Sequence, residues 1–179
     1  KTIKYMLSIN GSSIIEQILT NFDNREKTLV ILNERNKDVA EITQILVKLK
    51  YENYDIVEVG DTDGQLTTVI EGYKKSLFRN QNEPVWIWNG DTIRLEQLPT
   101  VLFDEKRDVD AFIEVFNEYG SQWSFVDKLG LVNKVVEKSR ISNYCSSGLY
   151  GFRNISQIIS YYDNNKVEKA KGELYVSSV

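Results

Sequence analysis

Asp91 is the first residue whose type and position could support chemistry. It follows Gly90 and the apolar run Val85–Trp88, which is predicted to be a strand that continues to Asn89. Ligands of open α/β sheets bind beyond the carboxyl ends of the strands. A carboxylate there can hold Mg²⁺ between phosphates, and a neighbouring glycine lets the backbone approach a ligand closely. Taken alone, the pattern fits an aspartate that caps a turn equally well.

The turn Gly60-Asp61-Thr62-Asp63-Gly64-Gln65 is a second candidate, because it joins a predicted strand to a predicted helix. Backbone amides at such a helix N-terminus can face a nucleotide. The side-chain amide of Gln65 can pair with the edge of a base. The two aspartates would repel phosphate, so the turn favours contact with the base or the ribose. The alternative is an acidic loop with a helix N-cap.

Three further segments carry polar groups with a weaker indication. Lys1 and Lys4 form a small basic pair ahead of the first predicted helix, and lysine is a compact charge suited to phosphate oxygens. Glu137-Lys138 ends a predicted strand, where the carboxylate could accept hydrogen bonds from sugar hydroxyls. Ser146-Ser147-Gly148 leads into another predicted strand and could line a pocket. Singly, these segments are explained as well or better by solvated side chains and an ordinary loop.

The composition excludes several mechanisms. The chain of 179 residues contains no histidine, which excludes Ser-His-Asp and Cys-His nucleophile systems as well as Cys/His zinc sites. An enzyme of this composition uses carboxylate or lysine acid–base chemistry, or needs no general base because an anionic substrate phosphate attacks. The single cysteine, Cys145, permits no internal disulfide, and we expect it in the core or a loop of a protein from a reducing compartment.

Charge and hydropathy limit the expected partners. The net charge of −4 gives no electrostatic reason to expect a nucleic-acid partner, because such binders carry clustered positive charge. No apolar run approaches the ~20 residues that a membrane span needs, and no signal peptide opens the chain. We therefore expect a cytoplasmic protein with no membrane partner, whose oligomeric state these features leave open.

The elements that must position the candidate residues alternate between strands and helices. Predicted helices cover residues 12–19, 39–49, 65–75 and 155–161, with a further one from 167 onward. Predicted strands cover 28–32, 55–59, 85–89, 111–116, 123–126, 131–137 and 148–152. The alternation predicts one α/β domain over residues 1–179, with a mixed, mostly parallel sheet flanked by helices.

In chain order, these segments resemble the sugar-phosphate nucleotidyltransferases, the pyrophosphorylase family with a Rossmann-like core of GT-A type. The similarity is greatest to short bacterial members associated with capsule and surface-polysaccharide synthesis. It spans nearly the whole chain and rests on Lys1–Gly11, Asp63–Val69, Asn89–Thr92, Val135–Lys138, Ser147–Tyr150 and Gly172–Tyr175. The first three are similar to the family's lysine stretch, base-contacting turn and metal-binding segment, the next two to its sugar-side strands, and the last to a Glu-x-Tyr that opens a late helix.

The resemblance implies that a nucleoside triphosphate and a sugar phosphate, or a similar phosphorylated small molecule, give a nucleotide conjugate and pyrophosphate, with Mg²⁺ as cofactor. It implies catalytic roles for Lys4, which would contact phosphate, and for Asp91, which would bind the metal. It places Gly64, Gln65, Asn89 and Gly90 at the nucleotide. It places Glu137, Lys138, Ser147 and Gly148 at the second substrate.

Two alternatives remain beside this interpretation, and the first arises from departures of the sequence from the family. In the family, a Gly-rich, Arg-containing phosphate loop belongs before the segment that starts at Lys1, and a second metal ligand belongs after Val179. In addition, Ile3 stands where proline is usual. We expect that segments are missing at both ends of a complete enzyme, the alternative being a non-catalytic nucleotide-binding module. The other alternative is a glycosyltransferase of related fold that uses Asp61-Thr62-Asp63 as a metal-binding Asp-x-Asp.

Overall fold

The computed structural model describes residues 3–81, 83–95, 109–164, 169 and 172–178. The α-helices in this part of the chain are α1 (Ile14–Thr20), α2 (Val39–Lys48), α3 (Gln65–Lys75) and α4 (Ile155–Asp163), and 3₁₀ helices cover Lys4–Met6 and Val176–Ser178. The strands are β1 (Ser8–Ile9), β2 (Ser12–Ser13), β3 (Thr28–Asn33), β4 (Tyr54–Val59), β5 (Val85–Ile87), β6 (Ala111–Asn117), β7 (Ser124–Leu129), β8 (Leu131–Glu137) and β9 (Tyr144–Phe152).

The first four predicted helices are confirmed, and local signals explain where they begin. Ser13 caps α1, because its Oγ accepts a hydrogen bond of 3.2 Å from the backbone N–H of Glu16. Ile42 and Leu46 lie one turn apart on α2 and are both fully buried, as the apolar spacing predicted. The bounds of α3 are those predicted, directly after the turn that ends at Gly64.

The described chain divides into two compact units. The first comprises residues 3–62, 68–81 and 89–95. Its strands β3 and β4 pair in parallel from Thr28↔Tyr54 to Asn33↔Val59, and β1 and β2 form a short antiparallel ladder. A buried apolar cluster joins α1, α2 and β3, and it consists of Ile15, Leu19, Val30, Leu32, Ile42, Leu46 and Tyr51. Tyr5 and Met6 of the first 3₁₀ helix pack against this cluster.

The second unit comprises residues 63–67, 83–88, 109–164, 169 and 172–178. Its sheet has the strand order β5-β9-β7-β8, and β6 also pairs with β9. The long strand β9 is therefore the centre of the unit, and every pairing in this sheet is antiparallel. Helix α4 follows β9 and is capped by Asn154, whose Oδ1 accepts a hydrogen bond of 2.8 Å from Ser156 N.

The prediction of a mostly parallel sheet was wrong for the strand pairs that the structure describes, of which only β3–β4 is parallel. The reason lies in the connections. A parallel pair needs a crossover of a dozen or more residues, whereas β7 and β8 are joined by Gly130 alone. The φ of +84° at Gly130 suits a tight reversal that glycine adopts without strain.

Two predicted boundaries also change. Strand β5 ends at Ile87, so Asp91 lies in the loop after the strand and not directly at its end. The helix predicted from residue 167 falls largely outside the described residues, and the described part of it is non-helical at Glu173–Tyr175 before the 3₁₀ helix Val176–Ser178. None of the described helices has the length and apolar character that crossing a membrane requires. The single-domain organisation stays a prediction.

Candidate functional site

The first unit brings Lys4 and Asp91 into direct contact. Lys4 opens a 3₁₀ turn, in which Met6 N donates to Ile3 O at 3.0 Å. Its Nζ donates to Asp91 Oδ2 at 2.5 Å, across 87 residues of sequence. The lysine side chain is 70 % exposed and the aspartate side chain 38 %. The residues expected to contact phosphate and metal therefore lie side by side at the surface, where small molecules can reach both.

The loop that carries Asp91 is open on the side of Gly90. Thr92 N donates to Asn89 O at 3.5 Å, which closes the loop weakly. A Cβ added at Gly90 would meet no atom of the described chain within 4 Å. Packing among the described residues therefore does not require glycine at this position. Close approach of a ligand, the reason that the sequence suggested, stays a prediction.

The donor set of the first unit fits a metal ion that arrives with its substrate. Within the described residues, no three acidic or thiol side chains gather into a ready-made metal site. Asp91 supplies one carboxylate, which is exposed and in contact with Lys4. Mg²⁺ is usually held by one or two carboxylates together with substrate phosphates and water, and seldom by a cage built from protein alone. Asp91 is a carboxylate of the kind that such an arrangement uses, and a magnesium ion beside it stays a prediction.

In the second unit, the turn at Gly64 and Gln65 is covered by the segment Leu174–Val176. Leu66 N donates to Leu174 O at 3.0 Å, and Leu174 N donates to Asp63 O at 2.9 Å. The side-chain Oε1 of Gln65 accepts from Val176 N at 3.4 Å. Gly64 has a φ of +139°, and a Cβ there would lie 2.5 Å from Leu174 O. The chain itself therefore requires glycine at position 64, a reason that sequence reasoning missed.

The two aspartates of the acidic turn are each paired with a cation. Asp61 forms an ion pair with the Arg35 guanidinium and accepts a hydrogen bond of 3.3 Å from Asn33 Nδ2. Asp63 pairs with Lys169 Nζ at 2.7 Å. Both pairs are exposed, so their energies are small, and like the Lys4–Asp91 pair they neither favour nor exclude a metal at these carboxylates. The glycosyltransferase alternative gains no support from this turn.

The side chain of Glu137 is buried, contrary to the simple interpretation of a solvated strand end. Its side chain is only 6 % exposed. Ser124 lies opposite it in the β7–β8 ladder and donates its hydroxyl to Glu137 Oε2. The Oγ of Ser177 is 3.3 Å from that of Ser124. A buried carboxylate must be hydrogen bonded or paired, and here the Ser124 hydroxyl and the ammonium of Lys138, 3.5 Å from Oε1, supply those partners.

Lys138 is held by a chain of polar side chains from the C-terminal segment. Its Nζ donates to the Tyr175 hydroxyl at 3.1 Å, and that hydroxyl donates to Glu173 Oε2 at 2.6 Å. The hydrogen bond with Tyr175, and then the charge of Glu137, raise the pKa of the Lys138 ammonium. Donation to Glu173 raises the pKa of Tyr175. Tyr175 and Glu173 are thus site residues whose only signal in the sequence was the Glu-x-Tyr spacing.

Ser147 and Gly148 lie inside β9 and not in a loop that precedes it. Ser147 Oγ donates to Glu114 Oε2 at 2.6 Å, and Gly148 N donates to Ser146 Oγ at 3.1 Å. The loop interpretation was wrong because β9 begins four residues earlier than predicted, at Tyr144. Cys145, on the same strand, is fully buried, which confirms it as a core residue.

Comparison with known proteins bears on the fold. No family model and no curated protein matches the chain. A nucleoside-diphosphate-sugar pyrophosphorylase from Vibrio cholerae RC9 shares its fold over 99 % of this chain and 77 % of its own, with a TM-score of 0.83 and 24 % identity. A UDP-glucose pyrophosphorylase complexed with UDP-glucose matches over 95 % of this chain and 73 % of its own, with a TM-score of 0.68 and 15 % identity. The 4-diphosphocytidyl-2C-methyl-D-erythritol synthase from Anaerococcus prevotii matches over 93 % of this chain and 73 % of its own, with a TM-score of 0.61 and 18 % identity. The predicted Rossmann-like α/β fold is confirmed, because the chain shares the fold of these solved structures.

Proposed function

We propose that the protein is a nucleotidyltransferase that joins a nucleoside triphosphate to a sugar phosphate, or to a similar phosphorylated small molecule, and releases pyrophosphate. The observation that carries the proposal is the contact of 2.5 Å between Lys4 and Asp91. It joins a cation suited to phosphate and a carboxylate suited to a metal on a fold shared with pyrophosphorylases. Among the solved structures that share the fold, one is named for a nucleoside-diphosphate sugar and another for a diphosphocytidyl derivative of a sugar alcohol.

The reaction asks little proton chemistry of the protein. A phosphate oxygen of the second substrate attacks the α-phosphorus of the triphosphate, the new P–O bond forms, and the bond to the bridging α–β oxygen breaks. Pyrophosphate leaves with that electron pair. Because the attacking phosphate is already anionic at neutral pH, no general base is needed, which agrees with a chain that contains no histidine. Catalysis of this type depends on positioning and on charge neutralisation.

Lys4 and Asp91 would divide the charge neutralisation. Lys4 donates hydrogen bonds to phosphate oxygens and balances their charge. Asp91 would hold Mg²⁺, which neutralises the charge of the triphosphate when bound. An exposed ion pair contributes only about 0.2–1 kcal/mol, and the Lys4–Asp91 pair is exposed on its lysine side. Release of Lys4 from Asp91 therefore costs little, and both groups become available to a triphosphate that carries its metal.

The remaining candidate residues would bind the two organic groups. Gly64, Gln65, Asn89 and Gly90 would contact the nucleotide, and Glu137, Lys138, Ser147 and Gly148 the phosphorylated small molecule. The buried carboxylate of Glu137 already accepts a hydrogen bond from a hydroxyl, that of Ser124, which supports its role toward sugar hydroxyls. From the order of the motifs, we further propose that the product is a cytoplasmic precursor for bacterial capsule or surface polysaccharide.

Pyrophosphate release is the direct test. The protein is mixed with Mg²⁺, each ribonucleoside triphosphate or thymidine triphosphate, and a panel of sugar and alcohol phosphates. We expect one combination to release pyrophosphate, and Lys4→Met and Asp91→Asn to lower kcat/KM by about 100-fold or more, as loss of a transition-state charge partner does. Lys48→Met is the matched control, because Lys48 is a similarly exposed lysine of the same unit whose Nζ also contacts a carboxylate at 2.5 Å, that of Glu16. It should leave the rate unchanged.

Other results would contradict the proposal in distinct ways. Tight nucleotide binding in calorimetry without pyrophosphate release across the panel would favour a non-catalytic nucleotide-binding module. If Asp61→Asn abolished metal-dependent activity while Asp91→Asn left it intact, the glycosyltransferase alternative would replace the proposal. If Lys48→Met lowered the rate as much as Lys4→Met, the Lys4 effect would be one of general surface charge.

A further inference from the structure

The turn that carries Lys4 has little support of its own. It is a 3₁₀ helix of three residues, and its N-cap residue, Ile3, offers no side-chain hydrogen bond to the cap. Two backbone hydrogen bonds close it, Met6 N to Ile3 O at 3.0 Å and Leu7 N to Lys4 O at 3.2 Å. Short 3₁₀ segments have poor hydrogen-bond geometry and depend on their surroundings. Other contacts of the turn must therefore hold the backbone at Lys4 in place.

Tyr5 makes that contact through two polar side chains. Its ring packs against the apolar cluster of the first unit. Its hydroxyl donates to Asp38 Oδ2 at 2.5 Å and accepts a hydrogen bond of 2.9 Å from Asn36 Nδ2. Burial, and then the hydrogen bond to the Asp38 carboxylate, raise the pKa of the Tyr5 phenol above its ordinary value, which itself keeps the phenol protonated at neutral pH.

Asp38 is an unusual partner for Tyr5, because its side chain does not cap the helix that it precedes. It occupies the N-cap position of α2, yet its side chain makes no capping hydrogen bond. It is 5 % exposed, and among the described residues nothing hydrogen bonds to its Oδ1. A buried carboxylate with a free oxygen costs stability. The positive end of the α2 dipole offsets part of this cost, and Asp38 Oδ2 accepts the hydrogen bond that the Tyr5 hydroxyl donates.

The backbone between Asn36 and Asp38, the two partners of the Tyr5 hydroxyl, contains one left-handed residue. Lys37, between them, has a φ of +57°, in the left-handed region that lysine rarely adopts. Such outliers cost free energy and persist where the surrounding structure requires them. Here the strained residue separates the two groups that hold the same phenol oxygen.

We propose that Tyr5 is a positioning residue for Lys4: its hydroxyl, held between Asp38 and Asn36, fixes the 3₁₀ turn so that the Lys4 ammonium reaches the phosphate site beside Asp91. This role rests on the proposed nucleotidyltransferase function. Tyr5 itself does not need to touch substrate. The ring packing anchors the residue in the core, whereas the hydroxyl fixes its rotation and hence the direction of the backbone that carries Lys4.

A double-mutant cycle on pyrophosphate release tests the proposal. Tyr5→Phe keeps the ring and removes the hydroxyl, and we expect kcat to fall about 10-fold with the KM for the phosphorylated small molecule unchanged, since small misplacements of a positioned group cost this much or more. In the Lys4→Met background, Tyr5→Phe should add nothing, because Tyr5 acts through Lys4. Independent losses that multiply, to about 1000-fold for the double variant beside 100-fold for Lys4→Met, would overturn the proposal.

Tyr51→Phe is the matched control. Tyr51 belongs to the same apolar cluster and donates its hydroxyl to Leu19 O at 2.7 Å, so its loss also removes a phenol hydrogen bond from the core. We expect this variant to lower stability and to leave kcat unchanged. An equal loss of kcat in Tyr51→Phe would show that any weakening of the core slows the reaction, and would overturn the positioning role.

Amide hydrogen exchange separates this proposal from the proposed function. In Tyr5→Phe, exchange at Met6 and Leu7 should rise several-fold while the amides of α1 and α2 keep their rates. Unchanged exchange at Met6 and Leu7 would overturn the anchoring, whatever the activity. If the unmodified protein released no pyrophosphate with any substrate, the proposed function would fail. Calorimetry with the triphosphates would then test the role of Tyr5. If Tyr5→Phe weakens triphosphate binding, and the same substitution has no effect in the Lys4→Met background, the positioning role is supported. If Tyr5→Phe binds the triphosphates as tightly as the unmodified protein, the positioning role is overturned.

Discussion

Replacement of Gly64 by alanine tests the close contact between the turn that precedes α3 and the segment Leu174–Val176, both in the second unit. The added Cβ would lie 2.5 Å from Leu174 O and 2.7 Å from Leu174 N, both backbone atoms that cannot rotate away. A carbon–oxygen contact normally needs about 3.3 Å. The segment must therefore move and weaken two hydrogen bonds, Leu66 N to Leu174 O and Leu174 N to Asp63 O, at about 1 kcal/mol each. The φ of +139° adds about 1–3 kcal/mol for a residue with a side chain.

Gly64→Ala should accordingly destabilise the protein by about 3–5 kcal/mol, the sum of these terms. Urea denaturation followed by tryptophan fluorescence measures the change in the free energy of unfolding. Gly90→Ala is the matched control, because a Cβ there meets no atom of the described chain, and it should change stability by less than about 0.5 kcal/mol. If the two variants were equally stable, the contact between Gly64 and Leu174 would not exist in solution and the reasoning would be refuted.

Two further predictions follow from single groups of the first unit. Gly90→Ala should lower kcat/KM for the triphosphate about 10-fold or more while the protein stays folded, because a ligand must approach the backbone beside Asp91; unchanged kinetics would exclude close approach there. Burial, and then the charge of Asp23, raise the pKa of Tyr51 to about 12, against about 10 in an unfolded chain. The unfolded state loses this proton first, so stability should fall as the pH rises from 10 to 12, and urea titrations should show a shallower fall in Tyr51→Phe.

Local signals in the sequence were sufficient for α1 to α4, although they also predicted a helix from residue 167 that is non-helical at Glu173–Tyr175. Ser13 before an apolar repeat marks the start of α1, and the glycine-ended turn before Gln65 marks the start of α3. Strand β9 was predicted too short because Cys145 and Ser146 do not follow an alternating pattern. Their burial depends on partners from elsewhere, such as Phe116, which faces Cys145 across the β6–β9 ladder. Such a contact has no local signature.

The candidate site shows the same division. Residue types and chain order suggested roles for Lys4 and Asp91, but nothing in either segment indicates that they touch across 87 residues. The burial of Glu137 depends on its register with Ser124 in the β7–β8 ladder. A one-residue slip would turn Glu137 to the other face of the sheet. Register is determined by the turn at Gly130 and by the packing of both strands, which the period of a single strand does not contain.

The partners that the site residues already have indicate what a substrate must replace. Lys4 contacts a carboxylate, so an anion that displaces Asp91 must offer at least equal charge, as a phosphate does. Glu137 accepts from the hydroxyl of Ser124, so a ligand that takes this position without leaving a buried carboxylate unsatisfied must bring a hydroxyl of its own. Each replacement exchanges like for like and therefore costs little. The proposed substrates carry both kinds of group: phosphates for Lys4, and hydroxyl groups on the phosphorylated small molecule for Glu137.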